Sequence, residues 1–99
     1  MEKRSPHYLL SSIQAQMATI DAMNMTESSR IGMRLVGMRM ADVVIVIQGL
    51  SRKHFFKSMT THQDHRIWQD VYHGEWCGKS LYIKCQQAGE YFVVSFKGL

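Results

Sequence analysis

Cysteine, proline and acidic residues are scarce in this chain, and each scarcity removes a class of protein. Two cysteines, Cys77 and Cys85, are too few for a disulfide scaffold. One proline, Pro6, and seven glycines leave no linker rich in either residue and no low-complexity tract. No apolar run approaches the roughly 18 residues of a membrane span. The longest, Val43 to Ile47, is far shorter, so no membrane partner is expected. The first residues, Met1 to Pro6, lead into no apolar stretch and do not read as a secretory signal. The expected compartment is cytoplasmic.

What is present describes an ordinary globule. Hydrophobic residues make up 45% of the 99 positions and charged residues 20%, enough apolar surface for one core and one domain spanning 1–99. Twelve Lys and Arg stand against eight Asp and Glu, a net charge of +4. That balance tilts toward an anionic partner such as nucleic acid without specifying one.

The character of the chain changes near residue 50. Residues 1–50 are rich in helix formers and methionine, and residues 51–99 in Thr, Tyr, Phe, Trp and Val. Ser5-Pro6 reads as a helix start, and Leu9, Leu10, Ile13 and Met17 follow at helical spacing, predicting a helix over 7–18. Thr26 can cap a second helix over 27–36, with Ile31 and Leu35 on one side and Gly37 past its end. Residues 41–48 are ambiguous: the run Val43-Val44-Ile45-Val46-Ile47 suits a buried strand, whereas Asp42 and Gly49 suit the ends of a short helix. Strands are predicted at 55–61, 66–73, 79–86 and 91–97, with Gly74 to Gly78 as a loop. Helices followed by an antiparallel meander make an α+β layout. The eight methionines read as plastic core filler.

The final hairpin can be taken to register. With Ala88-Gly89 as its two turn residues, Gln87 faces Glu90, and Leu81, Ile83 and Cys85 pair with Phe96, Val94 and Phe92. The opposite face then carries Ser80, Tyr82, Lys84, Val93, Ser95 and Lys97. In this register Tyr82 lies opposite Ser95 and diagonal to Lys97, roughly 7–8 Å away. A phenol and an ammonium at that spacing can both reach one phosphate.

Three segments resemble the MqsR family of toxins. They are Met1-Glu2-Lys3-Arg4 with Pro6-His7; Phe55 to Thr61 through Asp64-His65 to Ile67-Trp68-Gln69-Asp70-Val71-Tyr72; and Val93-Val94-Ser95-Phe96-Lys97. Tyr82-Ile83-Lys84 falls between the last two, and residues 8–47 are only weakly similar. The resemblance implies N-terminal helices on a twisted antiparallel sheet, a RelE-like ribonuclease toxin fold, with 41–48 helical. It also implies cleavage of mRNA, GC-containing sites being preferred in the family, and a cognate antitoxin as partner. The family's functional positions fall here on Lys57, Gln69, Tyr82 and Lys97, with His65 and His7 as further members. Phe56 stands where the family often has Tyr, so a hydroxyl is lost there.

The residue types suit metal-free RNA cleavage, in which the 2′-hydroxyl attacks phosphorus. That reaction needs a base, an acid, and cations for the developing charge. Lys57 and Lys97 supply charge, Gln69 an amide donor, and Tyr82 a phenol that can donate to a phosphate oxygen or exchange a proton. His65 and His7 are the natural acid–base candidates. Base and acid stay unassigned between these groups. Lys84, Arg66 and Trp76 are candidates for RNA binding, Trp76 by stacking a base from an exposed loop.

Blander readings stand beside these. Each lysine can be a solvated strand-face charge, Tyr82 and Tyr91 ordinary sheet aromatics, and Trp68 a core residue. His62-Gln63-Asp64-His65, with His54, His73 and a cysteine nearby, invites a metal, but no pair has zinc-site spacing. A turn in which Asp64 bonds the backbone explains that cluster better, and neither metal nor small-molecule cofactor is expected. The competing function class is a non-catalytic basic adaptor that binds nucleic acid or protein. The polar face of the last hairpin, with Gln69 and Lys57, separates the two, because those groups together make sense around a phosphate.

Overall fold

Alternation of side chains carries the second half of the chain into an antiparallel sheet whose strands keep their sequence order, with a short N-terminal strand at one edge. In the computed structural model, residues 1–89 and 91–99 are described, with Tyr91 as backbone alone. The strands are β1 (Glu2–Lys3), β2 (Phe55–Thr60), β3 (Trp68–Trp76), β4 (Lys79–Ala88) and β5 (Tyr91–Gly98). The helices are α1 (Leu10–Gln16), α2 (Glu27–Leu35) and α3 (Met40–Gln48). The expected α+β architecture is thus present, with β1 as an edge strand that propensity did not announce.

The first helix is shorter than predicted because its intended first turn has another partner. The backbone N–H groups of His7 and Tyr8 donate to the Asp70 carboxylate at 2.9–3.1 Å, holding residues 7 and 8 out of the helix. Asp70 is fully buried and also accepts from the Ser58 hydroxyl at 2.6 Å. Pro6 therefore starts no helix; Leu9 is the N-cap.

The second helix begins where Thr26 accepts from the Ser29 N–H at 3.2 Å and ends at Gly37, whose φ is +84°. Ile31 and Leu35 share one side as read, but that side is exposed, and Ser29 and Met33 face inward. Close approach to β5 dictates this, since a Cβ on Gly32 would lie 2.4 Å from the Phe96 carbonyl oxygen.

The ambiguous segment is helical. Asp42 accepts from the Arg39 N–H at 2.8 Å and caps it, and Val43 and Ile47, one turn apart, enter the core. Burial of that pair outweighs the β preference of five branched residues. Gln14 of α1 satisfies the end of α3 by donating to the Ile47 and Leu50 carbonyls.

All three helices lie on one side of the sheet. Between them, Ile13, Met17, Met33, Met38, Val43 and Ile47 pack against Tyr72, Leu81, Ile83, Cys85, Val94 and Phe96. Four of the methionines are core filler as read: Met17, Met23, Met33 and Met38.

Two details of the sheet differ from expectation. The predicted Gly74–Gly78 loop is mostly strand, and only Cys77 and Gly78 turn, both at positive φ (50° and 76°), as a two-residue hairpin needs. In the last hairpin Gln87 pairs with Phe92 and Ala88 with Tyr91, a slip of two residues from the predicted register. The expected Gln87–Glu90 pairing is absent; Glu90 itself lies outside the described residues. Because the side-chain period is two, this slip leaves every residue on its predicted face.

Candidate active site

Among the described residues, none forms a layer over the face of the sheet away from the helices. Odd-numbered residues of β3 and even-numbered residues of β4 point there, and the register aligns them in rows across the strands. One row reads Met59, Gln69, Gln86, Val93; the next Lys57, Val71, Lys84, Ser95; a third His73, Tyr82, Lys97. Val71 is fully buried yet stands outside the core cluster, as expected of an apolar floor beneath longer polar side chains. Strands are about 4.8 Å apart, so Lys57 and Lys84 stand roughly 10 Å from each other with Val71 between them.

The two-residue slip improves the candidate site. Tyr82 is directly opposite Lys97 rather than diagonal to it, and Lys97 Nζ stands 4.7 Å from the centre of the Tyr82 ring. Gln69 Nε2 donates to Gln86 Oε1 at 2.8 Å, which fixes the amide. Lys57 is ion-paired with Glu2, which β1 brings alongside β2. The Lys57 ammonium holds the Glu2 carboxyl below its ordinary value. Glu2 thus pairs with one cation of the face.

The N-terminal half of α2 forms a wall along β5. Ser28, Ser29 and Gly32 face Tyr82, Lys84, Ser95 and Lys97 across a cavity of about 280 Å³. A second groove, of about 350 Å³, runs from Gln69 and Lys84 to His62 and Gln63 in the β2–β3 loop. Lys84 lines both, so the two adjoin as a track that also carries Lys97.

Other residues singled out from sequence lie elsewhere. His7 is on the helix side of the sheet, stacked on Trp68 at 5.2 Å with its Nδ1 3.0 Å from Lys3 Nζ. Trp68 is half-buried in that cluster, not in the core, because β1 and residues 7–8 cover it instead of a helix. His65 and Arg66 are exposed in the β2–β3 loop. Arg66 forks onto Asp64 at 3.0 and 3.1 Å, and this pairing lowers the Asp64 carboxyl from its ordinary value. Asp64 also accepts from the Arg66 N–H at 2.9 Å, the turn read from sequence. Trp76 ends β3 on the helix side, partly buried against the core, and is not an exposed loop aromatic. Among the described residues, no three His, Cys, Asp or Glu side chains come together as a metal would require. Among those residues, too, no helix is long and apolar enough to cross a membrane.

The structure also gives the site two residues that the sequence reading noted for other reasons, Phe56 for a missing hydroxyl and His73 as a possible metal ligand. Phe56 stacks on His73 with ring centres 4.3 Å apart, and His73 lies beside Tyr82 at 6.0 Å. Counting by twos along β3 from Gln69 places His73 on the same face, a signal available in the sequence.

With this face described, its resemblance to other proteins can be placed. The model of the family described as "Motility quorum-sensing regulator, toxin of MqsA" matches residues 5–98. The chain belongs to the MqsR toxin family. It is 37% identical over 97 residues to the mRNA interferase toxin MqsR of Escherichia coli strain K12, a stretch that covers 98% of both chains. Membership therefore extends through residues 8–47, whose resemblance to the family is weak, and takes in most of α3 with α1 and α2. In MqsR terms, the open face carries the four positions that the resemblance singled out, Lys57, Gln69, Tyr82 and Lys97, and leaves out His7.

Proposed function

We propose that this chain is the toxin of a toxin–antitoxin pair, an endoribonuclease that cuts mRNA in the cytoplasm and so halts translation and growth. What supports this reading, beside family membership, is the uncovered face on which Tyr82 meets Lys97 within reach of Lys84, Lys57 and Gln69. The RNA backbone runs along the track between α2 and the strands. Lys84 and Lys97 take up phosphate charge, Gln69 offers its amide to the backbone, and Tyr82 hydrogen-bonds the scissile phosphate. Preorganised donors of this kind stabilise the phosphorane as its charge grows. The 2′-hydroxyl is the nucleophile, cleavage falls at GC-containing sites, and no metal takes part.

The test is cleavage of naked RNA by the purified protein in excess EDTA. The expected products end in 2′,3′-cyclic phosphate or 3′-phosphate, with 5′-hydroxyl on the other fragment. Loss of cleavage on chelation, restored by a divalent ion, overturns the metal-free chemistry. RNA that is bound and left intact under every condition makes the chain the adaptor considered above.

The partner in this reading is a cognate antitoxin presenting an acidic or amphipathic segment, steered to the basic surface at a salt-sensitive rate. Expression of the intact chain alone should arrest a bacterial host, and the antitoxin should restore growth. Unimpaired growth counts against the toxin reading.

A further inference from the structure

We propose that His73 is the general base of the cleavage reaction, a catalytic residue that none of the sequence motifs contains. The inference rests on the ribonuclease reading above and supplies what its quartet lacks. Abstraction of the 2′-hydroxyl proton needs a group with a free lone pair. Ammonium groups have none, which removes Lys84 and Lys97; Lys57 is also engaged by Glu2. The Gln69 amide is neutral and already bonded to Gln86. A neutral imidazole can accept the proton, and imidazoles change charge between roughly pH 5 and 8.

Of the five histidines, His73 is the one in the Tyr82–Lys97 row. It is the direct cross-strand partner of Tyr82, with ring centres 6.0 Å apart and planes inclined at 45°. His7 is on the other side of the sheet, His65 in an exposed loop, and His54 accepts from the Ser51 N–H through Nδ1. His62 lines the end of the groove away from Gln69, in the β2–β3 loop.

A second feature is built around His73. The register of β2 on β3 shifts between Phe55 and Lys57, and this bulge brings Phe56 to the open face, where its ring stacks on the imidazole at 4.3 Å and 21°. Bulges recur beside active sites because they re-aim a side chain. Here the Phe56 ring covers one face of His73, which keeps Tyr82 as its cross-strand neighbour. Among the described residues, the charged groups sharing the face are Lys57 from β2 with its partner Glu2 from β1, Lys84 from β4, Glu75 along β3, and Lys97 beyond Tyr82.

In the step that follows, neutral His73 takes the 2′-hydroxyl proton as the O2′–P bond forms. The P–O5′ bond breaks, and the leaving O5′ takes the hydroxyl proton of Tyr82. The phenolate left behind faces Lys97 Nζ. Imidazolium and phenolate return to their starting forms by proton exchange with water once the products depart.

The experiment measures kcat/KM on a GC-containing RNA oligonucleotide in EDTA from pH 5 to 9. It compares the unaltered protein with His73→Gln, His73→Arg and His62→Gln. The unaltered protein should lose activity toward the acid end of the range, since a protonated imidazole cannot accept the 2′-hydroxyl proton. His73→Gln should be roughly 10²–10⁴ slower and lose that acidic limb. His73→Arg should not restore the rate, since a fixed cation cannot accept a proton, and His62→Gln should keep the limb. A flat acidic profile in the unaltered protein overturns the proposal whatever the variants do. So does a limb that survives in folded His73→Gln, rescue by arginine, or loss of the limb in His62→Gln instead. Failure of the unaltered protein to cut RNA at any pH removes the ribonuclease reading and this one together, whereas metal-free cutting with a flat profile removes His73 alone.

Discussion

Replacing Asp70 with alanine should cost this small domain a large part of its stability while leaving the chemistry of the open face out of reach. The carboxylate is fully buried on the helix side of β3 and accepts from the N–H groups of His7 and Tyr8 and from the Ser58 hydroxyl, at 2.6–3.1 Å. Alanine leaves all three donors without a partner, at about 1–3 kcal/mol each. Release of a buried charge offsets part of that, so the net loss should be about 3–5 kcal/mol. Asparagine keeps one oxygen for the two N–H groups and can donate its amide to the Ser58 hydroxyl, so it should lose only about 1–2 kcal/mol. For a domain whose whole stability is of order 5–15 kcal/mol, the two variants separate clearly. Urea unfolding followed by tryptophan fluorescence should move the alanine midpoint down by about 2 M, given slopes of about 1–3 kcal/mol/M. Amide exchange at His7 and Tyr8 should quicken in both variants. The asparagine protein, folded at low temperature, should cut RNA normally, because Gln69 points to the opposite face. A loss below about 1 kcal/mol in the alanine variant, or equal losses in the two, would refute the pinning role assigned to this carboxylate.

Neighbouring residues of β5 should fail in different ways. Phe96→Ala, at a core position 3% exposed, should cost about 3–5 kcal/mol. Exposed Lys97→Ala should be neutral for stability within about 0.5 kcal/mol, and should lower cleavage by about 10²–10³. Calorimetry paired with a cleavage assay reads both. Glu2→Gln frees Lys57 and should tighten RNA binding, steepening the salt dependence of the binding constant by up to about one counterion; an unchanged salt slope counts against Lys57 as a phosphate contact. On the alkaline side, burial raises the Tyr72 phenol from 10.0 to about 12 and the Cys85 thiol from 9.0 to about 12. The neutral forms are thus favoured in the folded state, and their stabilisation is intact below about pH 9 and lost as pH climbs toward 12. Unfolding midpoints taken from pH 8 to 11 should fall, and Cys85→Ala should flatten the lower part of that fall.

Period-two alternation determined which side of the sheet each residue occupies, and it did so reliably. Leu81, Ile83 and Cys85 face the helices, and Tyr82, Lys84, Ser95 and Lys97 face away, because neighbouring side chains of any extended strand must diverge. The same alternation contained His73, overlooked because it was weighed only as a possible metal ligand. Capping chemistry was legible at α2, which Thr26 and Gly37 bound where local rules put them, but not at α1, where the Ser5-Pro6 signal starts no helix. The resemblance supplied what propensity withheld for residues 40–48, where five branched residues argue for strand and burial of Val43 and Ile47 argues for helix.

Quantities that depend on two segments meeting were invisible to such rules. The last hairpin slipped by two residues, a change that leaves both faces with the same composition and therefore leaves no trace in the pattern. Packing chose the observed register: Gly98 sits opposite Leu81, where a Cβ would come within 3.2 Å of Val36, and Phe96 falls beside Ile83 under α2. For the same reason Ile31 and Leu35 turned outward, since Gly32 had to meet the β5 backbone. The separation of His7 from Tyr82 came from one buried carboxylate 63 residues away in sequence, which draws the N-terminal segment to the helix side. A strand carries its own alternation, but register, helix rotation and the company a histidine keeps belong to the contact between elements, and only the folded chain specifies that contact.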